Sequence, residues 1–185
     1  MKIAKTFATL VALTLASAAP AFAAESTAAL PVPGYAAAHD VPGAHELPDP
    51  SIDYKVVFSI GSGATDMTAE VNPTLAQLAR YVNTLAKYGV PADKRHLIVM
   101  FHQRNPDFDI TMSNAAFKAR HGKDNPNIAL IRDLKAAGVQ LRACGQALES
   151  RKIDAKDVNQ DIQIDLWAMT SMLNLQMKGY VRTGN

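Results

Sequence analysis

Five consecutive apolar residues decide the fold of this chain: Leu97-Ile98-Val99-Met100-Phe101. The run does not alternate between polar and apolar residues, which is typical of a parallel strand buried on both faces. Such a strand needs neighbouring strands beside it and helices above and below it, because parallel strands are joined by crossover connections. The chain on either side should therefore alternate between strands and helices.

The segment before this run fits that expectation. Residues 54–60 are mostly apolar and end at Gly61-Ser62-Gly63, which predicts a strand followed by a turn. Asn72-Pro73 predicts a helix start, because asparagine caps helices well and proline suits the first helical position. Apolar residues then recur at helical spacing until Gly89, where the helix should end.

The segment after the run repeats the alternation. Helices are predicted at about 113–120 and from the Asn125-Pro126 cap to Gly138, followed by a strand at 139–144. A short helix at 146–151, a short strand within 158–164, a helix at 165–178 and an edge strand at Tyr180-Val181 complete the pattern. This order predicts an α/β fold with a mainly parallel sheet and helices on both faces.

The N-terminal region predicts export. Lys2 and Lys5 precede a short apolar stretch, and Ala21-Phe22-Ala23 fits a small-x-small cleavage site. We therefore expect residues 1–23 to be a cleaved signal peptide that directs the chain to a periplasm. The apolar stretch is shorter than the roughly 20 residues that span a bilayer, so no membrane attachment is expected after cleavage. Residues 24–51 hold half of the ten prolines and predict an extended tail or linker, which leaves residues 52–185 as the domain.

Composition narrows the function. The chain has 185 residues, of which 48% are hydrophobic and 19% charged, too apolar for a disordered protein. Removal of the two signal-peptide lysines leaves 17 basic and 17 acidic residues, so a nucleic-acid partner is not expected. A single cysteine excludes a disulfide scaffold and a thiolate metal cluster. His39-Asp40 and His45-Glu46 lack a setting that fixes metal geometry, so neither a metal nor another cofactor is expected.

The parallel sheet predicts where a site would lie. The carboxyl ends of parallel strands meet at one edge of a sheet, where ligands bind in open α/β folds. Cys144 ends a strand and precedes a helix, whose N-terminal N–H groups would stabilise a thiolate; the alternative is a small buried apolar residue. His102 would pair with Cys144 or orient a ligand, or be structural. The predicted pocket comprises Gly61, Ser62, Gly63, His102, Gly145 and Gln146, although 61–63 also fits a plain turn.

Three stretches resemble the DsrE/DsrF-like family. The cysteine segment, residues 138–148 (GVQLRACGQAL), resembles that of the family, and residues 116–127 and 173–180 resemble its exported members. The resemblance spans roughly 54–181. It implies a three-layer α/β/α sandwich of about five strands that assembles into a homotrimer or hexamer. It also implies that Cys144 carries a persulfide and passes the sulfur to another protein. The predicted export separates this chain from cytoplasmic relay partners.

Three functions follow as hypotheses. The first is a periplasmic sulfur carrier, or a sulfurtransferase-like enzyme, that uses Cys144 as its persulfide-forming thiol with an unidentified sulfur donor and acceptor. The second is a non-catalytic ligand-binding or assembly module of the same fold. The third is a thiol redox sensor, which is less favoured because the chain has no second cysteine to resolve a sulfenic acid.

Overall fold

A five-stranded, fully parallel sheet forms the centre of the protein in the computed structural model, which describes residues 29–60, 62–102 and 106–183. The strands are β1 (Tyr54–Ser59), β2 (Arg95–Phe101), β3 (Gln140–Cys144), β4 (Ile162–Asp165) and β5 (Val181–Thr183). Their order across the sheet is β4-β3-β2-β1-β5, and each neighbouring pair is parallel. The predicted α/β sandwich with a parallel sheet is confirmed.

Within the described residues, five α-helices connect the strands: α1 (Pro73–Lys87), α2 (Asn114–His121), α3 (Ile128–Ala136), α4 (Gly145–Ser150) and α5 (Ala168–Met177). The connections from β1 through β4 all advance in one direction across the sheet, whereas β4 to β5 returns across its whole width. Right-handed crossovers therefore place α5 on the opposite face from α1 to α4. The central strand β2 is buried from Leu97 to Phe101, as its unbroken apolar run predicts.

Helix boundaries follow the sequence with two corrections. Asn72 caps α1 by accepting hydrogen bonds from the N–H groups of Thr74 and Leu75, as predicted. Asn125 does not start α3, which begins at Ile128; its side-chain amide instead donates to the carbonyls of Ile110 and Met112. The last helix begins at Ala168 rather than at residue 165, because residues up to Asp165 pair with β3.

The tail before the domain packs on α1. Val32 is fully buried, and its N–H and C=O both bond to the side chain of Asn83 on α1. Farther along, the Asp40 carboxylate accepts hydrogen bonds from the ammonium group of Lys87 and the hydroxyl of Tyr88. The predicted signal peptide lies outside the described residues. Within the described part of the chain, no helix combines the length and apolar character needed to cross a bilayer.

Candidate functional site

Cys144 lies at the carboxyl end of β3, as predicted. Its residue is 3% exposed, and its Sγ accepts a hydrogen bond of 3.3 Å from the backbone N–H of Ala168. Ala168 is the first residue of α5, so this N–H has no acceptor within its own helix. The sulfur therefore binds the N-terminus of α5, which arrives from the opposite face of the sheet. The sequence predicted that the thiolate would be stabilised by α4, the helix that directly follows Cys144. The Cys144 side chain, however, makes no capping hydrogen bond to α4.

Gly145 allows two segments of backbone to approach closely. A Cβ at this position would lie 3.1 Å from the carbonyl oxygen of Asp165 and 3.2 Å from that of Leu166. Both distances are tighter than ordinary van der Waals contact, so a larger residue would push the β4–α5 connection outward. That connection leads directly into Ala168, the first residue of α5, whose N–H bonds to Cys144. The glycine thus helps to hold the donor against the sulfur.

His102 lies at the same sheet edge as Cys144. The register of β2 and β3 pairs Phe101 with Ala143, and the residues that follow them are His102 and Cys144. Side chains alternate between faces along a strand, so these two occupy the same face, the one that α5 covers. Neighbouring strands lie about 4.8 Å apart. The fold therefore brings the predicted thiol and the predicted histidine together at adjacent positions.

Ser59 extends this cluster across β1. Its hydroxyl and the Nε2 atom of His102 share a hydrogen bond of 2.8 Å, and Ser59 is 1% exposed. The Arg182 guanidinium, on the edge strand β5, donates to the Ser59 Oγ at 3.4 Å. Because arginine can only donate, Ser59 keeps its proton available for the imidazole nitrogen. The arrangement can fix the orientation of the imidazole ring and carry a positive charge to this edge of the sheet.

The glycine-rich loop after β1 surrounds a carboxylate of the protein itself. The Ala64 N–H donates to Asp107 Oδ2 at 2.6 Å, and the Asn72 amide donates to the same oxygen at 3.0 Å. Asp107 is 4% exposed, and a Cβ on Gly63 would overlap Asp107 and Pro106. The backbone of this loop thus serves an internal anion at the same sheet edge, and Ser62 contributes its carbonyl oxygen to Asn72.

The remaining predicted pocket residues, Gln146 and Gly61, are not placed in this cluster. Gln146 is exposed on α4, and Gly61 lies outside the described residues. In the described part of the chain, no group of three or more His, Cys, Asp or Glu side chains is placed to hold a metal ion. At one of the two motifs weighed as metal sites, the Asp40 carboxylate bonds to Lys87 and Tyr88.

Sequence reasoning missed Ser59, Arg182 and Asp107. Ser59 is a polar residue at the end of a mostly apolar strand, and its position at the strand end was the one sequence feature that could have marked it as a site residue. Arg182 had no such sequence feature. Its place beside Ser59 depends on the pairing of β5 with β1, in which Arg182 is opposite Val57. Asp107 lies in a polar loop, and nothing in the sequence distinguishes it from the other polar residues of that loop.

Comparisons with known proteins place part of the chain in a family. The DsrE/DsrF-like family model matches residues 99–181, which include β3, Cys144 and α5, so this segment is a DsrE/DsrF-like domain. No curated protein matches the chain. One similar solved structure is a protein of unknown function from Methanobacterium thermoautotrophicum, with 18% identity and a TM-score of 0.47, covering 71% of this chain and 100% of that one.

Proposed function

Because residues 99–181 match the DsrE/DsrF-like family, which is related to sulfur relay proteins, we propose that this protein is a sulfur carrier that uses Cys144. The observation that carries the proposal is the position of the thiol. Cys144 ends β3 inside the matched segment. Its sulfur accepts the first N–H of α5, and His102 occupies the adjacent position at the end of β2. Hydrogen bonds from such N–H groups to a thiolate favour the nucleophilic form.

The proposed transfer needs no oxidant or reductant beyond its two sulfur partners. The Cys144 thiolate attacks the terminal sulfur of a persulfide donor, a new S–S bond forms, and the donor leaves as its thiolate. In the return step an acceptor thiolate attacks the outer sulfur of the Cys144 persulfide, which releases the Cys144 thiolate. The Ala168 N–H donates to Cys144 Sγ, which is the inner sulfur of the persulfide, and His102, oriented by Ser59, lies at the same sheet edge.

Mass spectrometry tests this proposal directly. Intact protein exposed to glutathione persulfide should gain the mass of one sulfur atom, and a free thiol acceptor should remove it. The Cys144→Ala variant should gain nothing, and the His102→Gln variant should load more slowly. Absence of the adduct over a range of pH would overturn the carrier function.

A second function is favoured by one observation, the 3% exposure of Cys144. A buried thiol that caps a helix is also what a non-catalytic binding or assembly module of this fold would contain. The two functions differ in the folded protein. A carrier predicts alkylation of Cys144 by iodoacetamide under native conditions, whereas the module predicts labelling only after unfolding.

We also propose that the protein is periplasmic and forms a homo-oligomer, a trimer or a hexamer. The N-terminal sequence supports the location. The outer face of α5 supports assembly with a second copy, because Met169, Leu173 and Met177 are exposed there and recur every four residues. Exposed apolar stripes of this kind are typical of interaction surfaces.

A further inference from the structure

A groove of about 380 Å³ runs between β4 and the side of α5. This β4–α5 groove is separate from the apolar outer face of the helix. One wall is polar and comes from α5, and the connection from β4 to α5 supplies an apolar wall. The groove is lined in part by Arg142, Asp165, Leu166, Trp167, Ser171 and Lys178.

The hydrogen-bond donors of Arg142 in this groove are only partly satisfied. The Arg142 guanidinium donates from Nη2 to Gln140 Oε1 at 2.6 Å, but its bond from Nη1 to Asp165 Oδ2 is long, at 3.5 Å. Its Nε is buried and has no hydrogen-bond partner among the described residues. Buried donors without a partner are uncommon in proteins and costly. The 21% exposure of the Arg142 side chain comes from its other atoms, so a ligand in the groove would meet those atoms rather than Nε.

The charges of the lining favour an anion. Arg142 and Lys178 contribute two cations, and Asp165 contributes one carboxylate. The Arg142 side chain is 21% exposed and that of Asp165 is 9% exposed, so solvent screens this region less than the open surface. A planar guanidinium matches the geometry of a carboxylate, with the hydroxyl of Ser171 as a further donor from α5.

We propose that the β4–α5 groove binds a small organic carboxylate, whose carboxylate faces Arg142 and whose hydrocarbon part lies against Leu166 and Trp167. The volume is at the small end of the range for small-molecule sites. The site does not depend on sulfur transfer, because Arg142, Leu166, Trp167 and Lys178 take no part in the proposed Cys144 chemistry. It gives this chain a ligand in addition to its sulfur partners.

Tryptophan fluorescence measures occupancy of the groove, because Trp167 is the only tryptophan in the chain. Hexanoate should change the emission saturably, with a Kd of about 1 mM or tighter. Hexan-1-ol, which lacks the charge, and sulfate, which lacks the hydrocarbon, should each bind at least tenfold more weakly. Cys144→Ser, which removes the thiol but keeps an acceptor for the Ala168 N–H beside Trp167, should bind hexanoate like the wild type, which separates this site from the proposed sulfur carrier.

Charge variants locate the binding. Arg142→Gln should weaken hexanoate binding at least tenfold, and Lys178→Gln, at an exposed position, should weaken it by a smaller factor. Lys156→Gln is the matched control, because Lys156 is exposed and pairs with Asp154 outside the groove. If Arg142→Gln fails to fold, Lys178→Gln decides the outcome. A saturation curve absent in the wild type, equal binding of hexanol or sulfate, or equal losses in Lys178→Gln and Lys156→Gln would overturn the proposal.

Discussion

The sulfur of Cys144 should stabilise the protein as a helix cap, independently of any sulfur chemistry. It accepts the Ala168 N–H at 3.3 Å, and Cys144 and Ala168 are 3% and 7% exposed. Cys144→Ala leaves that buried donor without an acceptor, which costs about 1–3 kcal/mol. Loss of the buried sulfur adds about 1 kcal/mol, the value of one methylene-sized group. The expected decrease in the free energy of unfolding is therefore about 2–4 kcal/mol.

Cys144→Ser distinguishes a cap from an apolar filler. A serine oxygen still accepts the Ala168 N–H, so we expect Cys144→Ser to be about 1 kcal/mol more stable than Cys144→Ala. In an apolar site without a donor the order would be reversed, because a buried unpaired hydroxyl is costly. Ala143→Ser, fully buried at the neighbouring position of β3, measures that penalty.

Urea unfolding of the three variants and the wild type gives the comparison. A difference of about 1 kcal/mol corresponds to a shift of about 2–4 °C in Tm for a chain of this size. A Cys144→Ala variant as stable as Cys144→Ser, or more stable, would show that Cys144 is not a helix cap. In that case the contact with Ala168 contributes nothing, and the proposed stabilisation of the thiolate loses its structural basis.

Four further predictions concern the tail, the loop and the helix face. Asn83→Ala should release the tail, seen as faster proteolysis within residues 29–50 while the core stays protected. The Lys87 ammonium, and then the Tyr88 hydroxyl, lower the pKa of Asp40 below its ordinary 3.8. The wild type should therefore be more stable than Asp40→Asn above pH 3.8, and urea unfolding should show this difference disappear as the pH falls through the lowered pKa. Gly63→Ala should lower Tm, because its Cβ overlaps Asp107. Gly122→Ala, with space for a Cβ but a positive φ, gives the cost of backbone strain alone. Leu173→Lys should shift the mass in light scattering to that of a monomer, and an unchanged mass would exclude α5 as the interface.

The sequence predicts strands and helices well where the pattern is local. The apolar run at 97–101 required a buried parallel strand, and Asn72-Pro73 capped α1 as expected. Errors occurred where a residue with local helix-capping character found a distant partner. Asn125 bonds to carbonyls at Ile110 and Met112, and the backbone of Asp165 pairs with Cys144. In both cases tertiary contacts override a preference that is worth only about 1 kcal/mol.

The candidate site could be predicted only in part, for a topological reason. Parallel strands bring Cys144 and His102 to one edge, so that part needed nothing beyond strand order. The donor to the sulfur comes from Ala168, 24 residues later, because the β4–β5 connection returns over the opposite face. The same return places Arg182 beside Ser59. No local pattern specifies which face a long crossover covers.

The return of α5 over the sheet also constrains how the thiol can react. We expect an acceptor to reach Cys144, which is 3% exposed, from the strand ends, where His102 and Ser59 lie. Transfer of sulfur then requires the acceptor to approach at this edge. Variants there should change the rate of persulfide formation, whereas variants of Arg142 and Lys178, which line the β4–α5 groove, should not. Loading rates of His102→Gln and Lys178→Gln, compared with glutathione persulfide as donor, separate the two regions; equal losses in both variants would contradict access from the strand ends.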